Sequence, residues 1–253
     1  MEQEHQGGIM VPLGKAKART QVQDILQTYG SKEGNDAEIL IHSKTVVEKK
    51  DFVSTGILTY ALGDIIEIEI AQYNAFQLGD KVKLTAYSKS GIFVFESTVV
   101  AKEFGSIIVI NPPENRKKFS DKRAHPRVVV SSGGFLHSIH DFSKGQKQSF
   151  EKPFTFSIRN VSLSGLGFTI AHELELHDKM ELEVELSLGF PMSCMAQIVR
   201  IEKRPSFTFC GTRYIGLAKE KSNALRAFIL KSQVELYFDQ KRETKHRKAV
   251  QKQ

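Results

Sequence analysis

The residues of this chain best suited to chemistry fall in two short motifs. The first is Lys122-Arg123-Ala124-His125-Pro126-Arg127, which ends a stretch from Glu114 to Arg127 holding six lysines and arginines against two acids. A guanidinium is planar, permanently charged and forked, so it grips a phosphate through two parallel hydrogen bonds and also stacks on a flat base. A separation of four, with Pro126 restricting the backbone between, lets Arg123 and Arg127 converge on one ligand, and Lys122 adds charge beside them. The second motif is Asn160-Val161-Ser162-Leu163-Ser164-Gly165-Leu166-Gly167-Phe168. Asn160 offers an acceptor and a donor suited to a base edge, Ser162 adds a hydroxyl, and Gly165 frees the backbone for close approach. Taken singly, each motif has an ordinary reading, a solvated basic linker and a turn. Together they describe a pocket for something anionic, flat and hydrogen-bonding, which is the description of a nucleotide.

Other chemistries find less support. His125 has no serine or cysteine nucleophile paired with it, and the pairs His137/His140 and His172/His177 lack a third metal ligand at short range. Glu181, Glu183 and Glu185 share one strand face and read as a solvated surface, and Gly165-x-Gly167 lacks the rest of a dinucleotide fingerprint. The chain therefore reads as a binding protein without catalytic residues, metal or resident cofactor. Its net charge is +7, yet the excess is concentrated in the stretch before Arg127 and in the tail from Gln240 to Gln253, where six lysines and arginines face Glu243 alone. That is the charge pattern of a near-neutral protein with two basic patches rather than of a uniformly basic nucleic-acid binder, although RNA binding through linker and tail stays the rival reading. No apolar run is long enough to span a bilayer, and the start, Met1-Glu2-Gln3-Glu4-His5, is not a secretory signal. Cys194 and Cys210 lie in apolar strand-like segments and read as buried thiols, a disulfide being the alternative; a cytoplasmic location is expected.

The elements that must position these motifs are mostly strands. The chain is 253 residues long and 40% apolar, enough for two modest cores or one large one. Residues 1–36 form a polar arm in which Val22, Ile25 and Leu26 permit a short helix near Gln21–Tyr29. From 37 to 111 the pattern alternates: Ile66, Ile68 and Ile70 with Glu67 and Glu69 between them, then Val82, Leu84 and Ala86 with charged or polar neighbours, punctuated by Gly63-Asp64, Gly79-Asp80 and Ser90-Gly91. This predicts a small β-barrel with one buried face per strand. Pro112-Pro113 breaks the ladder, and 112–127 reads as a basic linker carrying the arginine pair. Alternation resumes over 128–241 in Phe154/Phe156/Ile158 and Leu182/Val184/Leu186, with strands near Met195–Ile201 and Phe207–Leu217 and a glycine- and serine-rich loop over 131–152. Leu225, Phe228, Ile229 and Leu236 then sit at helical spacing, which predicts a closing helix from about Lys221 to Lys241 capped by Ser222, followed by a basic tail over 242–253. The expected architecture is mainly β: two small barrels joined by a basic linker, with a C-terminal helix on the second.

The order and spacing of the motifs, Arg123-x-x-x-Arg127 and then Asn160-x-Ser162-x-x-Gly165, resemble the PilZ domain family over roughly residues 115–240. That resemblance implies a six-stranded barrel that binds the bacterial second messenger cyclic di-GMP. In it, Arg123 and Arg127 would clamp phosphates and stack on guanines, Asn160 and Ser162 would read a guanine edge, and Gly165 would let the ligand lie against the backbone. Lys122 stands where the family often has another arginine, and it keeps the charge without the planar fork. The preceding barrel resembles the two-domain arrangement of flagellar-brake proteins. This implies a receptor that relays the signal to a protein partner, the flagellar motor or another effector of motility, attachment or biofilm control. A ligand held by both motifs would draw the linker onto the barrel and reorient the two domains.

Overall fold

The computed structural model describes residues 40–88, 91–116, 125–171 and 174–250. The short helix expected near Gln21–Tyr29 lies outside the described residues. The first six strands are β1 (Lys44–Lys49), β2 (Phe52–Leu62), β3 (Ile65–Glu69), β4 (Lys81–Ser88), β5 (Gly91–Glu103) and β6 (Ser106–Ile110). They close into an antiparallel barrel in the order β1-β2-β3-β6-β5-β4. The alternation read from sequence is its lining: Ile66, Ile68, Ile70, Val82, Leu84 and Ala86 all fill the barrel core. One part of that expectation is corrected. One buried face per strand would set Glu67 on the outer face, yet it is only 3% exposed. Both faces of β3 are buried here, because a helix from the far end of the chain covers the outside.

Pro112-Pro113 ends the first barrel, as the loss of two ladder donors requires, and Pro113 then opens a short helix α1 (Pro113–Arg116), where a proline is tolerated because its missing N–H has no helical partner. The second barrel comprises β7 (Val128–Asp141), β8 (Gln146–Val161), β9 (Leu166–Ile170), β10 (Glu181–Ser187), β11 (Pro191–Arg204) and β12 (Phe207–Ile215). Its order, β10-β11-β12-β9-β8-β7, is the strand order of the first barrel counted from β7. The irregularities recur as well. Register shifts fall after Leu58 on β2 and Val99 on β5, and at the equivalent places after Ile158 on β8 and Ile198 on β11. The chain thus folds the same topology twice, without an internal sequence repeat.

The loop expected over 131–152 is instead a long hairpin. Its glycines and serines pair across from β8 and β10, turning only at 142–145. The physical reason lies in the neighbours: a side chain at Gly134 would overlap the Phe156 ring, so the glycine admits that ring to the core. The closing helix α2 (Lys219–Val250) is longer than expected at both ends, beginning before Ser222 and extending to Val250 within the stretch read as a tail. Ser222 is therefore not the cap. Its N–H donates 2.9 Å to the Ala218 carbonyl, inside the first helical turns. Cys194 and Cys210 are free thiols, and burial pushes Cys210 up to about 12.

Helix α2 is shared between the barrels. Leu225 and Ile229 belong to the core of the second, while Leu230, Val234, Tyr237 and Phe238 pack with Tyr60, Ile65, Val100 and Ile108 of the first. Polar ties follow the same helix. Gln233 accepts a 2.8 Å bond from the Asp64 N–H and donates at 2.9 Å to the Asp64 carboxylate, and Lys241 binds Glu67 and, at 3.0 Å, Ser106. The two barrels are consequently joined twice, by the linker and by α2.

Candidate functional site

Strands β8 and β9 are joined by a turn over 162–165 that carries the second motif. The Ser162 N–H donates to the Gly165 carbonyl at 2.9 Å and the Ser162 hydroxyl to the same oxygen at 3.1 Å. The Ser164 N–H donates to Ser162 Oγ at 3.3 Å, and the Tyr214 N–H on β12 donates to the Ser164 carbonyl at 3.0 Å. Ser162 is only 2% exposed. Its hydroxyl is thus committed to holding the turn. Gly165 has an equally internal constraint: a Cβ there would overlap the Thr212 carbonyl oxygen, so only glycine lets the turn press against β12.

Asn160 sits at the register shift of β8, where one extra residue turns side chains toward the outer wall. It pairs across with Gly167, Gly167 with Gly211, and Gly211 with Arg200 at the matching shift on β11. Two bulges therefore face each other across two adjacent glycines. A Cβ on Gly167 would stand 2.9 Å from the Asn160 amide nitrogen and 3.1 Å from the Phe209 ring, so Asn160 and Phe209 converge over a floor with no side chains of its own. Arg200 borders it, mostly exposed and ion-paired with Glu202. An amide and an aromatic ring over buried Gly167, with a guanidinium beside them on the same wall, suit a planar, hydrogen-bonding ring. Gly211, Phe209 and Arg200 were not singled out from the sequence. The signal that would have found Gly211 was a lone glycine inside an otherwise regular strand.

Arg127 is exposed and immediately precedes β7. Val128 pairs with Val161 and Val129 with Asn160, so that register sets Arg127 beside the start of the 162–165 turn. Lys122 and Arg123 lie outside the described residues. Pro126 is buried against Gly63 of the first barrel, where a Cβ would come within 3.2 Å of it. The approach to Arg127 is therefore wedged at the junction of the two barrels, next to Gln233. The neighbouring His125 Nδ1 is buried and has no hydrogen-bond partner among the described residues.

Away from this wall, Asp141 and His177 tie the hairpin to the loop before β10, with His177 Nε2 3.0 Å from Asp141 Oδ2. The Ser143 hydroxyl, against partial burial and with help from His177, holds the Asp141 carboxyl down at about 2. The Asp178 carbonyl, then Asp141, raises His177 above its ordinary value. Among the described residues no group of three histidines, cysteines or acids stands close enough to hold a metal, and no helix is long and apolar enough to cross a membrane.

No curated protein matches this chain in sequence. Solved structures with a similar course include the Bacillus subtilis inhibitor of motility MotI/DgrA (15% identity, 77% of this chain and 97% of that one, TM-score 0.38). Two others are Escherichia coli YcgR in complex with c-di-GMP (14%, 89% and 93%, 0.38) and the K. pneumonia MrkH–c-di-GMP complex (12%, 90% and 96%, 0.35). The family model for the PilZ domain matches residues 121–231, which takes in the arginine pair, the Asn-x-Ser-x-x-Gly turn, the glycine floor and the first part of α2. The second barrel of this chain is a PilZ domain.

Proposed function

We propose that this chain is a cytoplasmic receptor for cyclic di-GMP, a binding module rather than an enzyme, that signals to a protein partner by changing the relation of its two barrels. The observation that carries the reading is the junction of the PilZ motif with the glycine floor. Asn160 lies over Gly167 on the outer wall, and Arg127 enters beside the same turn. Arg123 and Arg127 supply fixed positive charge and stacking planes for a phosphate and a guanine, and Lys122 adds charge. Asn160 reads the guanine edge. Ser162 and Gly165 act through the turn, which their own bonds and close approach keep rigid. Because the linker is wedged at Pro126 between the barrels, drawing Arg127 onto the wall strains the contact of α2 with the first barrel, and that is the route to the partner. Motility, attachment or biofilm control is the output implied by the family.

Calorimetry with cyclic di-GMP tests the reading. Binding at micromolar or tighter affinity is expected, with Arg123→Ala, Arg127→Ala and Asn160→Ala each weakening it at least about tenfold, or roughly 1.4 kcal/mol. No binding by the intact chain overturns it. Affinity for RNA that grows with polymer length and collapses with salt would instead favour the nucleic-acid reading.

A further inference from the structure

The wall that forms the glycine floor in the second barrel has a counterpart in the first. After the register shift at Leu58, Tyr60 pairs with Glu67, Glu67 with Ile108, and Ile108 with Ala101 after the shift at Val99. This row matches Asn160, Gly167, Gly211 and Arg200 position for position. Where the second barrel has two glycines, the first has Glu67 and Ile108. Helix α2 lies on that row: the Tyr237 ring packs at a tilt against Tyr60, 4.6 Å between ring centres, and Leu230, Val234 and Phe238 complete the contact. These residues, with Lys241, follow the spacing of a single helix face.

Glu67 is the reason this surface is more than a packing contact. Burial pushes its carboxyl up, but bonds from Lys241, Thr59, Tyr237 and Ser106 outweigh burial and hold it below its ordinary value. Among the described residues of the first barrel, only the neutral hydroxyls of Thr59 and Ser106 bond to it. A buried carboxylate satisfied only by hydroxyls is costly, so the surface requires a cation brought by whatever covers it. A barrel that folded merely to bury apolar area would place a leucine here.

We infer that the Tyr60–Glu67–Ile108–Ala101 face is a helix-docking surface, kept occupied by the chain's own α2. The partner it fits is an amphipathic helix that presents an aromatic residue and, one turn later, a lysine, as α2 presents Tyr237 and Lys241. Such a helix competes with α2, so the partner binds only when α2 lifts from the first barrel. The surface itself does not depend on the dinucleotide reading, since it is defined by side chains of the first barrel and α2 alone.

The test uses the full chain and a fluorescent peptide of residues 230–244 as the probe helix. Val234→Asp sets a carboxylate against the apolar face and frees the surface, and Tyr237→Ala is a milder route to the same end. Anisotropy titration should show at least tenfold tighter peptide binding to either variant than to the unsubstituted chain. Adding Glu67→Gln to the variant, or Lys241→Met to the peptide, should cost that gain. Thermal unfolding of each variant establishes that it is folded, and Tyr237→Ala carries the test if Val234→Asp is not. Equal peptide binding by the unsubstituted chain and the folded variants, or binding indifferent to both Glu67→Gln and Lys241→Met, overturns the proposal.

Discussion

Gly165 and Gly167 are two residues apart and answer to different constraints, which gives their substitutions different signatures. At Gly165 the obstacle to a side chain is the Thr212 backbone, which cannot turn aside without moving β12. Gly165→Ala should therefore destabilise the chain by about 2–3 kcal/mol, the usual scale for overpacking a rigid site, measured as a shift in the denaturant midpoint. At Gly167 the nearest atoms belong to the Asn160 amide and the Phe209 ring, which can give way. Gly167→Ala should cost less than about 1 kcal/mol in stability yet weaken cyclic di-GMP binding about tenfold, because it displaces Asn160, the group proposed to read the guanine edge. Comparable stability losses in both would mean that Gly167 is only a packing residue. His177 offers a third check at this scale. A raised histidine stabilises the folded state fully below its ordinary value of 6.5 and loses that contribution as pH rises through the folded value. Asp141, held at about 2, stays ionised across that range and would be lost only in strong acid. The tie of the hairpin should thus loosen on the alkaline side, with a His177 NMR titration midpoint above 6.5 that moves part of the way back in Asp141→Asn.

Among the elements, α2 and β3 meet through the buried Glu67–Lys241 pair. Removing the lysine alone leaves the Glu67 carboxylate buried with hydroxyl partners only. Lys241→Met should therefore cost about 2–4 kcal/mol, at or below the usual range for breaking a buried pair because Lys241 keeps some solvent contact. Glu67→Gln alone should cost less, and the double variant should be more stable than the two single effects predict, a coupling that a double-mutant cycle in urea measures directly. The sign with pH follows from the lowered carboxyl. The clasp persists above the ordinary carboxylate range and fails as pH falls through the lower folded value of Glu67. Strand β3 also shows why the helix could not be inferred from the strand. Ile-Glu-Ile-Glu-Ile is the pattern of a half-buried strand, and only the arrival of a helix some 170 residues later, bringing a cation, converts Glu67 from surface to interior.

For the whole molecule, the second tether decides what kind of motion is available. A linker alone would leave the barrels free to swing about 112–127. With α2 fixed in one barrel by Leu225 and Ile229 and on the other by Tyr237, Phe238 and the Gln233–Asp64 pair, reorientation requires that one of these contacts part. The contact with the first barrel is the one nearer the first motif, since Pro126, which adjoins Arg127, and Gln233 meet at Gly63. A disulfide between Asp64→Cys and Gln233→Cys should weaken cyclic di-GMP binding, because the state with the contact parted is no longer accessible, and should abolish any ligand-dependent change in small-angle scattering. Reduction should restore the change. Unaltered scattering changes in the oxidised protein would place the hinge elsewhere.

The amino-acid sequence by itself determined what depends on near neighbours. The two-residue alternation specified the barrel strands, the proline pair ended the first barrel, and the helical spacing of Leu225, Phe228 and Ile229 specified the closing helix. The two motifs were legible for the same reason, because their residue types and spacing are local, and the PilZ family match over 121–231 takes in both. The tertiary structure alone decided what depends on distant partners. It showed that the loop read over 131–152 is a hairpin, since Phe156 fills the space beside Gly134. It placed Gly211 beside Gly167 to make a floor, and it buried Glu67 under Lys241. Sheet pairing and the cover of a charge are long-range events, and no pattern within a few residues encodes which strand or helix will come to lie alongside.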